Sequence, residues 1–189
     1  MTVEVPTRAG GWGVSDDGAT VTWTVADGRK GRRWREVVND GSGVRHSLLL
    51  ESGLDRRFSH VELARADGLW TAHPEPDGTL HGHHVNRSDD GVRHIEGLHF
   101  GPEAVFIIEG SPLSLAAVAW SMGSLIEVGD HADALAVVIQ LDGAIESTTE
   151  RLDRRSATIW HVGEGRPIEI DEAGLPMLRG AQIRPLERR

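Results

Sequence analysis

Thr20-Val-Thr-Trp-Thr-Val25 alternates threonine with valine or tryptophan, so Val21, Trp23 and Val25 fall on one face of an extended chain. A period of two predicts a strand with one buried face. Shorter strands of the same kind are expected at 34–38, 45–50, 58–64 and 68–73. In the segment 58–64, Phe58, His60, Glu62 and Ala64 would oppose Ser59, Val61 and Leu63. Ala104-Val-Phe-Ile-Ile108 is apolar throughout and of strand length, the pattern of a strand covered on both sides. Strands at 134–141, 145–152, 157–162, 167–171 and 178–183 would then form a closing meander of hairpins.

The stretch 113–126 fits two periods. Leu115, Val118, Met122 and Leu125 lie at helical spacing behind Ser111-Pro112, which suits an N-cap followed by a first-turn proline. Leu113, Leu115, Ala117 and Ala119 alternate as a strand would. The capping pair favours a short helix.

Asp-Gly recurs at 17–18, 27–28, 40–41, 67–68, 77–78, 90–91 and 142–143, mostly beside alternating segments. Glycine adopts φ > 0 freely and aspartate tolerates it better than most residues, so these pairs suit tight hairpins, type I′ turns among them. The offsets 17, 27, 40 return as 67, 77, 90, and Gly43-Val-Arg-His46 is echoed by Gly91-Val-Arg-His94. Hairpins of similar length account for this without a duplication. The fold class expected is mainly β: a curved antiparallel sheet forming a β-roll or open barrel, with at most one or two short helices.

The 189 residues fit one domain, 1–189, with a loose segment at 1–10. A net charge of −9 argues against nucleic acid as a partner. The absence of cysteine excludes disulfides, thiolate catalysis and cysteine-based zinc sites. The amino terminus lacks a secretory pattern, and the longest uncharged run, 110–126, is too short and too polar to span a bilayer, so a cytoplasmic protein with no membrane span is expected.

No complete catalytic motif is present. His81 and His83 would share a strand face, with His94, Glu96 and His99 nearby. The cupin metal pattern requires a glutamate shortly after such a pair, where this chain has Val85, Asn86, Arg87 and Ser88, so no metal is expected there. No nucleophile elbow and no glycine-rich phosphate loop occurs. Arg29-Lys-Gly-Arg-Arg-Trp-Arg35 carries five cations in seven residues and suits either phosphate or lipid headgroups, or simply a solvated hairpin tip. Six tryptophans without any tyrosine supply large apolar surface for a core or for a cavity wall.

Leu141-Asp-Gly-Ala-Ile145, Glu150-Arg-Leu-Asp-Arg-Arg155, Ala157-Thr-Ile-Trp-His161 and Ile168-Glu-Ile-Asp-Glu-Ala-Gly-Leu-Pro176 resemble the closing segment of the bacterial glycolipid-binding protein family. There an Arg-Leu-Asp turn leads to an aromatic strand and then to an acidic-Gly-Leu turn. Glu109-Gly-Ser-Pro-Leu-Ser-Leu115 is similar to the family's Pro/Thr-rich segment, and the resemblance extends over about 47–184. This chain departs from it in having Ile159-Trp160 where tyrosine is usual, and Leu115-Ala-Ala-Val-Ala-Trp120 in place of an arginine-containing segment. The resemblance implies a curved sheet with an apolar ligand groove.

The function expected is therefore non-enzymatic binding of an amphipathic or lipid-like ligand, a glycolipid among the options, without a cofactor. Phe106, Trp120 and Trp160 are the expected apolar contacts. Two alternatives stay open: a small-molecule enzyme using histidines of the 81–99 region with Asp or Glu, and a ligand-free module that forms a homodimer through a sheet face or edge.

Overall fold

The computed structural model describes residues 8–87, 91–140, 142–163 and 166–185, the side chains of 179–185 excepted. The strands are β1 (Arg8–Val14), β2 (Thr20–Gly28), β3 (Gly31–Asn39), β4 (Val44–Ser52), β5 (Phe58–Arg65), β6 (Gly68–Pro74), β7 (Thr79–Asn86), β8 (Val92–His99) and β9 (Val105–Ile108). Helix α1 (Pro112–Met122) follows, then β10 (His131–Ile139), β11 (Ile145–Arg154), β12 (Ile159–Val162), β13 (Arg166–Glu169) and β14 (Arg179–Pro185). The architecture is mainly β with one helix, as the alternation of the chain implies.

Two sheets are built. The larger runs β14-β1-β2-β3-β4-β5-β6-β7-β8, with every neighbouring pair antiparallel. It curls into a half-barrel. The smaller has the order β13-β12-β11-β10-β9, antiparallel except for β9 beside β10. Strand β1 was not foreseen: it begins at Arg8 inside the segment expected to be loose, and its glycines give little apolar contrast to read. Strand β7 carries His81 and His83 on one face, as expected, and pairs antiparallel with β8.

The inner face of the large sheet is apolar. Val21, Trp23 and Val25 of β2, Trp34 and Val38 of β3, and Leu48 and Leu50 of β4 are all buried. In β5 the expected faces are partly reversed, because the β4–β5 register shifts between Glu51 and Ser52. That bulge adds one residue, turning Phe58 to the same side as Val61 and Leu63.

The concave face is filled by the protein itself. Helix α1 packs against β3, β9 and β13, and its Leu113, Ala116, Ala117, Val118 and Ala119 are buried. Apolar almost all round, it is a core helix. Phe58, Phe100 and Phe106 meet between the sheets, with ring centroids 5.9 Å apart for Phe58 and Phe106 and 4.4 Å for Phe100 and Phe106.

Both ends of α1 are held by polar side chains. The Ser111 hydroxyl accepts from Ser114 N at 3.0 Å, the N-cap expected from the sequence. Glu36, buried on the inner face of β3, accepts from Leu113 N at 3.0 Å and lies 3.0 Å from Nε2 of the equally buried His46. A carboxylate at a helix N-terminus meets otherwise unbonded N–H groups. At the other end Arg154 Nη1 donates to Gly123 O at 2.7 Å and to Ile126 O at 2.8 Å.

Candidate ligand-binding cleft

With the concave face occupied, the opening lies at one end of the half-barrel. It is a cleft of about 1220 Å³ bounded by the β2–β3 turn, the β4–β5 turn, the last turn of α1, Arg154 to Trp160, and the loop 170–174. Trp120, half-buried on α1, forms part of its floor. The cleft wall combines indole surface with guanidinium groups.

The β2–β3 turn places the first of these groups. Asp27-Gly28 does not form the centre of a turn, since Gly28 pairs with Gly31 and the two-residue loop is Arg29-Lys30. A Cβ at Gly31 would lie 1.8 Å from Ser52 O, so this turn sits hard against the end of β4. Arg32 follows on the inner face. It clamps Asp27 through two bonds of 2.6 and 2.9 Å and donates to Ala173 O at 2.5 Å, tying the loop 170–174 to the sheet. Its guanidinium carbon is 4.3 Å from the Trp120 ring centroid.

The β4–β5 turn supplies Arg56. In this loop Gly53 N donates to Arg57 O at 2.8 Å and Arg56 N to Gly53 O at 3.1 Å. The same paired bonds close 15–19, 75–79, 140–144 and 171–175, where Gly18, Gly78, Gly143 and Gly174 occupy the left-handed position. In each loop the chain reverses over three residues, a turn type distinct from the two-residue I′ hairpin. Only in 53–57 is that position filled by a side-chain-bearing residue among the described ones: Arg56, with φ +66°. Its guanidinium carbon lies 4.7 Å from the Trp120 centroid and Nη1 donates to Trp120 O at 3.3 Å. Strain of this kind tends to be kept where a side chain has a task.

The far wall completes the set. Gly174, at φ +77°, lies so close to Trp120 that a Cβ there would be 2.3 Å from the indole Cδ1. The Arg154 guanidinium carbon is 5.4 Å from the Trp160 centroid. Arg154 Nε and Trp160 Nε1 are both buried without a hydrogen-bond partner in the protein. Trp23, Trp34 and Trp70 Nε1 are buried and unpartnered in the same way, so these two donors belong to the packed wall behind the cleft rather than to its open surface.

Of the three expected apolar contacts, Trp120 offers half-buried surface to the cleft, and Trp160 borders it but is almost wholly buried, at 1% exposure. Phe106 does not reach it: it is fully buried in the core between Phe58 and Phe100. The histidines lie elsewhere. Leu80 and His84 of β7 face inward, whereas His81 and His83 alternate to the outer surface, where His83 pairs with His94 across β8. Ring centroids are 4.9 Å apart for His81 and His83 and 4.8 Å for His83 and His94. Among the described residues no three His, Asp or Glu side chains are grouped so as to hold a metal ion. The arginines of the cleft were missed as a set, apart from the basic run 29–35, because they come from four separate parts of the chain, Arg8, Arg29 with Arg32, Arg56 and Arg154.

No protein-family model and no curated protein matches the chain. Among solved structures it is similar to a DUF1089 family protein from Pseudomonas aeruginosa, with 15% sequence identity, a TM-score of 0.49, and coverage of 93% of this chain and 91% of that one.

Proposed function

We propose that the protein binds an amphipathic or lipid-like molecule with an anionic headgroup in this cleft, without chemical conversion. The carrying observation is the union, in one opening, of the half-buried Trp120 indole with a wall of arginines, Arg29 and Arg154 among them. Arg56 adds a charged donor beside the same ring. An apolar tail gains about 0.8 kcal/mol for each methylene it buries, and a phosphate or carboxylate gains charge-assisted hydrogen bonds. The ligand would enter at the rim, since the concave interior holds α1 and the small sheet.

The experiment is a tryptophan-fluorescence titration with decyl phosphate, decanoate and an uncharged decyl glucoside, all below their micelle concentrations. The two anions are expected to bind at least tenfold more tightly than the glucoside. Equal affinity for all three would remove the headgroup role, and no saturable change with any of them would sink the proposal.

A further inference from the structure

The cleft opens between two turns that differ in charge from the rest of the protein. Segments 27–33 and 51–57 carry six cationic side chains against three carboxylates, in a chain whose net charge is −9. Arg29, Lys30 and Arg57 are exposed at their tips. The next turn along this end, 75–79, bears Glu75 and Asp77 and bounds the patch, and Glu172 stands on the far side of the cleft. Charge acts locally over a Debye length of about 8 Å at physiological salt, so the acidic remainder does not cancel a basic tip.

Between the cations stands an apolar residue. Leu54, the first loop residue of the β4–β5 turn, is 77% exposed, the most exposed large hydrophobic side chain among those described. It lines the cleft mouth together with Arg29 and Arg56. The turn that carries it is fixed by the two bonds of the 53–57 loop and by Ser121 Oγ, which donates to Arg56 O at 2.7 Å. A leucine held outward on a rigid turn, with Arg29 and Arg56 at the same mouth and a single exposed carboxylate, Asp55, beside it 3.7 Å from Arg57, suits the boundary between headgroups and acyl chains of an anionic bilayer.

We infer that this end of the half-barrel docks reversibly on anionic membranes, with Leu54 inserted and Arg29, Lys30 and Arg57 on the headgroups. The inference rests on the cleft reading in one respect: docking would bring the opening to the surface from which an amphiphile could enter. Each basic residue near such a surface is worth about fivefold in partitioning, and insertion of Leu54 about tenfold.

The test is co-sedimentation with vesicles of phosphatidylcholine alone and of phosphatidylcholine with phosphatidylglycerol, using the full chain. Binding to the mixed vesicles only, lost in high salt, is expected. Leu54→Asp and the double variant Arg29→Glu/Lys30→Glu should each weaken it at least tenfold, with the circular dichroism spectrum unchanged. The inference is overturned if the protein fails to bind the anionic vesicles, or if Leu54→Asp binds them as wild type does. Decyl phosphate titration of the wild-type protein separates the two proposals. Ligand binding without vesicle binding overturns the docking surface alone, and vesicle binding without ligand binding overturns the cleft reading alone.

Discussion

Arg56 has a readable signature in the sequence. The loop Gln140-Leu-Asp-Gly143 and the loop Gly53-Leu-Asp-Arg56 share Leu-Asp at their middle positions, with arginine in the second where the first has its closing glycine. In each, the aspartate accepts from the backbone N two residues on, Asp142 from Ala144 at 2.9 Å and Asp55 from Arg57 at 3.2 Å. A left-handed arginine costs about 1–2 kcal/mol, offset in part by the greater chain entropy that glycine would bring to the unfolded state. Arg56→Gly is therefore expected to leave the melting temperature within a few degrees of wild type. Its affinity for decyl phosphate should fall at least tenfold, since a hydrogen bond to a charged group is worth about 1.5–3 kcal/mol. Paired calorimetric melting and titration would check both halves.

His84 gives a residue-scale prediction of another kind. Its ring stacks on Trp70 at a centroid distance of 3.7 Å, and burial pushes its pKa below the usual 6.5, against an opposing pull from Asp67. Because the unfolded chain takes up the proton more readily than the folded one, this residue's contribution is fully present above pH 6.5 and declines as pH falls below it. His84→Phe, which keeps an aromatic ring on Trp70, should flatten the pH dependence of denaturant midpoints in that window. An unchanged slope would show that His84 is not its source.

Helix α1 shows how far an element can be read in advance. Ser111-Pro112 identified its start correctly, although the apolar alternation of the same stretch suited a strand. What could not be read was the second contact at that end. The alternation of Trp34, Glu36 and Val38 puts a carboxylate on an apolar face, yet its partner Leu113 lies 77 residues away and only the curl of the sheet brings them together. Local periodicity carries no such information. Removing one partner of a buried hydrogen bond leaves the other unmet, at about 1–3 kcal/mol for each stranded group. Glu36→Ala should lose stability of that order in urea unfolding, because it strands His46 and leaves Leu113 N unbonded. Ser111→Ala, which removes a single cap, should lose about 1 kcal/mol.

For the whole molecule, the alternating segments and repeated turns were enough to give a curved antiparallel sheet, and eight strands in chain order with β14 beside β1 bear that out. They did not show that the concave side would be closed by α1 and a second sheet, since no local pattern reports what covers a face. Trp120 stayed half-buried at an opening, with Trp160 buried behind its wall, while Phe106, equally apolar in sequence, went to the centre. The difference lies in where each element ends.

The described walls of the cleft are short turns closed by their own backbone hydrogen bonds, at 29–30, 53–57 and 171–175. Nothing in them has to swing aside for a guest to arrive or depart. Traffic should then be set by encounter: stopped-flow mixing with decyl phosphate is expected to give a single phase linear in ligand concentration, with an association rate that drops as salt is raised. A rate that levels off at high ligand concentration would instead reveal a step of opening. A cleft built this way would favour quick exchange of the proposed ligand over its retention, handing it on as readily as taking it up.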